Sequence, residues 1–153
     1  MQKIPFNEAL CAVQNLTPVY AARTVRTADA AGCILAEPVY AKYSVPPAPV
    51  SAMDGFAVKA ADTIDASAEN PLTLTVFDRV NTGNVVRDEF DAVIMVEDVE
   101  FDGSDAPAEI TIRAPIKVGR NVRATGEDIA EGRMVLPAGA RIRPFDIGAL
   151  ALL

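Results

Sequence analysis

The 153-residue sequence has no histidine, no tryptophan and only two cysteines. Without histidine there is no Ser-His-Asp triad, no Cys-His pair, and none of the usual zinc or copper sites. Any chemistry must rest on carboxylates, hydroxyls, lysine, backbone amides or a hard cation. Cys11 and Cys33 are too few for a disulfide framework or a zinc pattern. Two buried thiols in a reduced cytoplasm are expected instead. Positive charge is also scarce. The formal net charge is −7, and Arg113, Lys117, Arg120 and Arg123 are scattered among apolar residues and glycines. That dispersal argues against a nucleic-acid partner and against an anionic membrane surface. No apolar run approaches the roughly 20 residues of a bilayer span, and Met1 to Pro5 lacks the apolar stretch of a signal peptide.

Half of the residues are apolar and 23% are charged, which predicts a packed core of Val, Ile, Leu and Ala. Residues 5–16 read as a short helix, with Pro5 in its first turn and Phe6, Leu10 and Val13 on one face. Val19 to Arg26 reads as a strand. Thr27 caps a brief helix over 28–31, with Gly32 as its stop. Val45-Pro46-Pro47-Ala48-Pro49-Val50 is stiff and extended, either a boundary between lobes or an edge loop. From Ser51 to Gly139 short strands alternate with turns. The clearest strands are 72–76, 91–96, 110–112 and 135–136. A last helix starts near Pro144. Its apolar end, Leu150 to Leu153, predicts either a chain cut inside a helix or a helix that packs on a partner.

Three loops carry candidate chemistry. Asp54 sits in a turn between Met53 and Gly55, where its carboxylate either ligates Mg²⁺ or closes an Asx-turn. Asn81-Thr82-Gly83-Asn84 either offers a hydroxyl and free amides to an oxyanion or is a plain hairpin turn. Gly126-Glu127-Asp128 either completes a cation site with Asp54 or is solvated loop charge. Arg123 either holds an anion or pairs with Glu127. Glu97 and Asp98 follow the buried strand over 93–96.

The string Ser51-Ala52-Met53-Asp54-Gly55-Phe56-Ala57-Val58 resembles the signature of the MoeA family, the molybdopterin molybdenumtransferases, to which the gephyrin E-domain belongs. Further matches follow in family order. They include Thr82-Gly83, Asp91 to Met95, Gly119 to Arg123, Gly126-Glu127-Asp128-Ile129, Leu136 to Gly139 and Asp146-Ile147-Gly148. The resemblance covers only the family's N-terminal region. It implies a mostly β fold with a small mixed α/β lobe built from both chain ends (1–44 plus 140–153) and a β-rich lobe over 45–139. It implies a cytoplasmic enzyme that inserts molybdate into adenylylated molybdopterin with the help of Mg²⁺, as a homodimer with a site shared between subunits. By that resemblance Asp54, Thr82 and Asp128 are catalytic, Ser51, Met53 and Gly83 contact substrate, and Asp54 and Asp128 hold the metal. The family's pterin-binding domain is missing, so the chain alone is expected to be inactive. The alternative is a dimerisation or interaction module in which Asp54 only forms a turn. Two stretches depart from the family. Asn84-Val85-Val86-Arg87 follows Thr-Gly in place of Ala-Pro-x-Pro, and Ala48-Pro49-Val50 stands where Phe-Asp-Asn or Phe-Asp-Arg is usual.

Overall fold

The computed structural model describes residues 3–16 and 21–153. Helix α1 (Phe6–Gln14) is followed by strands β1 (Val39–Tyr40), β2 (Val50–Ser51), β3 (Gly55–Val58), β4 (Leu72–Leu74) and β5 (Asp78–Val80). Then come β6 (Ala92–Met95), β7 (Val99–Glu100), β8 (Ile110–Ile112), β9 (Val122–Arg123) and β10 (Met134–Leu136), and the chain closes with helix α2 (Asp146–Ala151). The fold is the mostly β one that the sequence predicts. Its strands form four small sheets, β1-β10, β2-β9, β5-β3-β6 and β4-β8-β7, with every pairing antiparallel.

Period-two alternation explains the centre of the molecule. In β3, Phe56 and Val58 face a core that includes Leu74, Ile94, Val99, Ile110 and Ile112, whereas Ala57 faces Val80, Val86, Phe90 and Val93. All four residues of β3 are buried, so its run of apolar residues lies between two apolar layers. Phe56 meets Phe77 and Phe101 edge-on, with ring centroids 5.5 and 5.2 Å away.

The outgoing and returning chains run together as an interrupted antiparallel ribbon. Its rungs are Ile34 with Arg141, Val39 with Leu136, Val45 with Ile129, and Val50 with Arg123. The β1–β10 rung joins strands on the two sides of the lobe boundary expected at 139/140. At the far end α2 lies against the 3₁₀ turn Thr27–Asp29.

Three local expectations change. Residues 17–20 lie outside the described part of the chain, and 21–26 carry no strand. Beyond Ile34 the returning chain turns into α2, which leaves that stretch no strand to pair with. Thr27 is the first residue of its turn and caps nothing, because the capping position falls on Arg26. Cys11 is exposed on α1 and Cys33 is half-buried, so neither thiol is a core residue. Helix α1 has no buried residue at all.

Candidate functional site

The Ser51–Asp54 turn leads from β2 into β3 and bonds to three other segments. Ser51 is 1% exposed. Its hydroxyl donates to the Met53 carbonyl and accepts the Met53 amide within the turn. The Ser51 amide donates to the Asn84 carbonyl at 2.8 Å, and the Ser51 carbonyl accepts the Gly83 amide at 2.8 Å. Ala52 N–H donates to the Asn121 carbonyl, and the Asp54 carbonyl accepts Val96 N–H at 3.0 Å. Gly55 follows Asp54 because a β-carbon there would collide with the Ile94 carbonyl of β6.

This arrangement brings Asp54, Thr82 and Gly83 together. Asp54 Oδ1 accepts the Thr82 amide at 2.7 Å and the Thr82 hydroxyl at 3.1 Å. Among the described residues no hydrogen bond reaches Oδ2, and the Asp54 side chain is exposed. The Asx-turn alternative is thereby replaced by a longer reach, in which the carboxylate bonds a turn 28 residues away.

The amides of the Thr82 turn, read as an oxyanion nest or a plain hairpin turn, are occupied in this structure. They are already spent on Asp54, on the Ser51 carbonyl and, for Asn84, on the Asn81 carbonyl at 2.9 Å. An amide nest binds an anion only through N–H groups left free. The Thr82 hydroxyl also points its proton at Asp54. Ser51 has no exposed hydroxyl to offer a substrate, whereas Met53 is 43% exposed beside Asp54.

Asp128 has a different partner. Arg123 on β9 donates through Nη2 to Asp128 Oδ1 at 2.6 Å and through Nε to Glu127 at 3.4 Å. These bonds, Asp128 first, hold the guanidinium still more firmly protonated. Of the two readings left open for Arg123, pairing prevails, with Asp128 as the stronger partner. The ribbon holds this cluster close to the turn, since Arg123 stands opposite Val50 and the Asp128 amide donates to the Val45 carbonyl.

Asp54 and Asp128 do not fit the Mg²⁺ pair expected of them. Asp128 is already answered by a guanidinium, and a divalent cation on it would stand beside that positive charge. Among the described residues no three carboxylates, thiols or imidazoles gather to hold a metal.

One contributor escaped the sequence reading. Asn121 adopts the left-handed conformation at φ 57°, which asparagine tolerates better than most residues. Its side-chain amide donates to the Val93 carbonyl at 2.8 Å while its own carbonyl takes Ala52 N–H. The signal available was an asparagine directly after Gly119-Arg120, a turn-forming sequence.

Comparison with known proteins gives a consistent result. Residues 4–153 match the MoeA N-terminal region, described as domain I and II. The molybdopterin molybdenumtransferase of Bacillus subtilis (strain 168) is 31% identical over 98% of this chain and 38% of its own length. That of Staphylococcus aureus (strain MRSA252) is 30% identical over 97% of the chain and 39% of its own length. The chain therefore spans about two fifths of the length of these relatives. The crystal structure of the molybdopterin biosynthesis MoeA protein from Pyrococcus horikoshii OT3 superimposes with a TM-score of 0.87 at 30% identity. The superposition covers 99% of this chain and 44% of that one.

Proposed function

Because the chain belongs to the MoeA family, matching its N-terminal region over residues 4–153, we propose that it serves molybdenum cofactor synthesis in the cytoplasm. In this reading it is the N-terminal part of a molybdopterin molybdenumtransferase, which inserts molybdate into adenylylated molybdopterin. The observation that carries the site assignment is the Asp54 carboxylate on the family's signature string, held by both the amide and the hydroxyl of Thr82.

The chemistry follows from which atoms are free. Thr82 restrains the carboxylate through two bonds to Oδ1, and Oδ2 accepts a hydrogen bond or a proton from a protonated group of the substrate. Thr82 is then a positioning residue, and Arg123 with Asp128 forms a braced charge pair near it. No step runs through Mg²⁺, since Asp128 is engaged with Arg123. With two fifths of its relatives' length, the chain alone presents part of a site and is expected not to turn over.

Substituting Asp54→Ala in the full-length parent tests this. Cofactor synthesis should fall by about 100-fold, the scale of a lost general base. Unchanged synthesis would overturn the catalytic reading.

A second reading, an interaction module, is favoured by α1. Phe6 and Val13 are exposed by 77% and 63% on one helix face, and Leu10 lies between them. A second copy of the chain covering that face would give a homodimer with a shared site. Sedimentation of the Phe6→Ser/Leu10→Ser double variant tests it. A wild-type protein and a variant that sediment alike at every concentration would exclude dimerisation through α1.

A further inference from the structure

We propose that Asn84 is a positioning residue for the Asp54 carboxylate and acts on it through Thr82. Its bearing on the reaction rests on the function proposed above, whereas its hold on Thr82 rests on geometry alone.

Thr82 must itself be held before it can restrain Asp54. Residues 81–84 are all exposed, so packing does not fix the turn. Residues 81–92 contain no proline that would fix the backbone. Strand pairing stops short of the turn, because the last rung of β5 on β3 is Val80 with Gly55. The constraint comes from hydrogen bonds, and Asn84 makes three of them.

The Asn84 amide donates to the Asn81 carbonyl at 2.9 Å and closes a four-residue turn with Gly83 at φ 88°. Asn84 Oδ1 accepts the Asn81 amide at 2.8 Å. The Asn84 carbonyl accepts the Ser51 amide at 2.8 Å, which ties the same residue to the turn that carries Asp54. On the other side of Thr82, the Gly83 amide donates to the Ser51 carbonyl at 2.8 Å. The bonds form a ring, from Ser51 to Asn84 to Asn81, through Thr82 to Asp54, and back along the chain to Ser51.

The side-chain bond makes Asn84 more than a turn former. The Asn81 carbonyl and the Thr82 amide belong to one planar peptide group and point in opposite directions. Asn84 N–H bonds one edge of that plane and Asp54 Oδ1 bonds the other, at 2.7 Å. The Asn81 amide belongs to the preceding plane, which Asn84 Oδ1 holds. With both planes held, Asn81 cannot swing Thr82 away from the carboxylate. A residue without a side-chain acceptor keeps the backbone bond, releases the first plane and loosens the aim of the Thr82 amide and hydroxyl.

Two substitutions at this exposed position test the assignment. Asn84→Ala removes the acceptor, and Asn84→Asp keeps an oxygen in its place. In the 153-residue chain, Asn84→Ala should quicken hydrogen exchange of the Thr82 amide about tenfold, the scale of one lost hydrogen bond, while the amides of β3 keep their rates. Asn84→Asp should restore the slow exchange. In the full-length parent, Asn84→Ala should lower kcat for molybdate insertion about tenfold, as a misaimed group does, with KM little changed, and Asn84→Asp should recover most of it. Added to Asp54→Ala, Asn84→Ala should cost nothing further, because its effect passes through that carboxylate. Unchanged exchange at Thr82 would overturn the proposal. So would quickening spread equally over β3, the same kcat in both Asn84 variants, or a full additional loss on top of Asp54→Ala. A parent whose synthesis is indifferent to Asp54→Ala, in a chain where Thr82 exchange follows residue 84 as expected, would overturn the catalytic reading and leave the hold of Asn84 on Thr82 standing.

Discussion

The stretch from Gly55 to Ile112 and the two chain ends use similar apolar residues but bury them very differently. In the first, β3 is wholly buried and Phe56, Ile110 and Ile112 are almost completely enclosed. In the second, α1 buries nothing, and α2 buries only Asp146. The difference lies in neighbours rather than in hydrophobicity. β3 has a strand on each side and an apolar layer on each face, and α1 has no such neighbour among the described residues. A helix gains most of its stability from packing its apolar face, so α1 rests on its own propensity here.

The sharpest way to break that comparison is to exchange the roles of two glycines. At Gly55 a β-carbon would collide with the Ile94 carbonyl, and backbone cannot swing aside as a side chain would. Gly55→Ala should cost about 3 kcal/mol or more, read as a drop in the urea midpoint, and should also displace Asp54. At Gly148 in α2 a β-carbon meets nothing within 4 Å. Gly148→Ala should gain about 0.5–1 kcal/mol from helix propensity. Equal effects at the two positions would contradict the account of β3 and β6.

Next in size is truncation of the enclosed core. Ile110→Ala removes a fully buried side chain between β4 and β7 and should cost about 2–5 kcal/mol by urea unfolding. A loss below about 1 kcal/mol would mean that the strands around Ile110 collapse to fill the gap.

Residues with local causes were legible in the sequence, and those with distant partners were not. The spacing of Phe6, Leu10 and Val13 is enough to place α1, and the apolar run over 91–96 is enough to place β6. The pairing of Val50 with Arg123 depends on a return across more than 70 residues, and no local pattern encodes it. The site divides in the same way. Asp54 is marked by its signature string, whereas the need for glycine at 55 comes from the Ile94 carbonyl, far off in sequence. Whether the Thr82 amides are free depends on Ser51 and Asp54, which lie far off in sequence. The same holds for Asp128, whose reading turned on which acid Arg123 reaches. A hydrogen-bond donor can be named from sequence, but whether it is already occupied is a property of the fold.

A smaller effect probes α2 through pH. The Asp146 carboxyl is held below its ordinary value, first by hydrogen bonds from the Arg143 side chain and then by one from the Arg143 amide, against the opposing effect of burial. Its folded value is therefore below its unfolded value, so its contribution is complete above about pH 3.8 and is lost as pH falls through the lowered folded value. NMR shifts of residues 146–151 should move in that acid window while those of β3 stay constant. Asp146→Asn should abolish the transition, and an unchanged transition in that variant would assign it to another carboxylate.

The smallest expected effect is at α1, and it bears most directly on why the two regions differ. Phe6 and Leu10 are exposed by 77% and 43%. Under dilute conditions, with no second chain on that face, Phe6→Ser/Leu10→Ser should leave global stability within about 0.5 kcal/mol, as surface changes usually do. The same double change within the core around Ile110 would abolish folding. If the α1 variant instead lost several kcal/mol, the helix would have to be packed on something in solution. A loss that grew with protein concentration in the wild type would identify that something as a second copy. A concentration-independent loss would mean that α1 folds back onto its own chain, and the contrast between a self-sufficient centre and an uncovered helix would no longer hold.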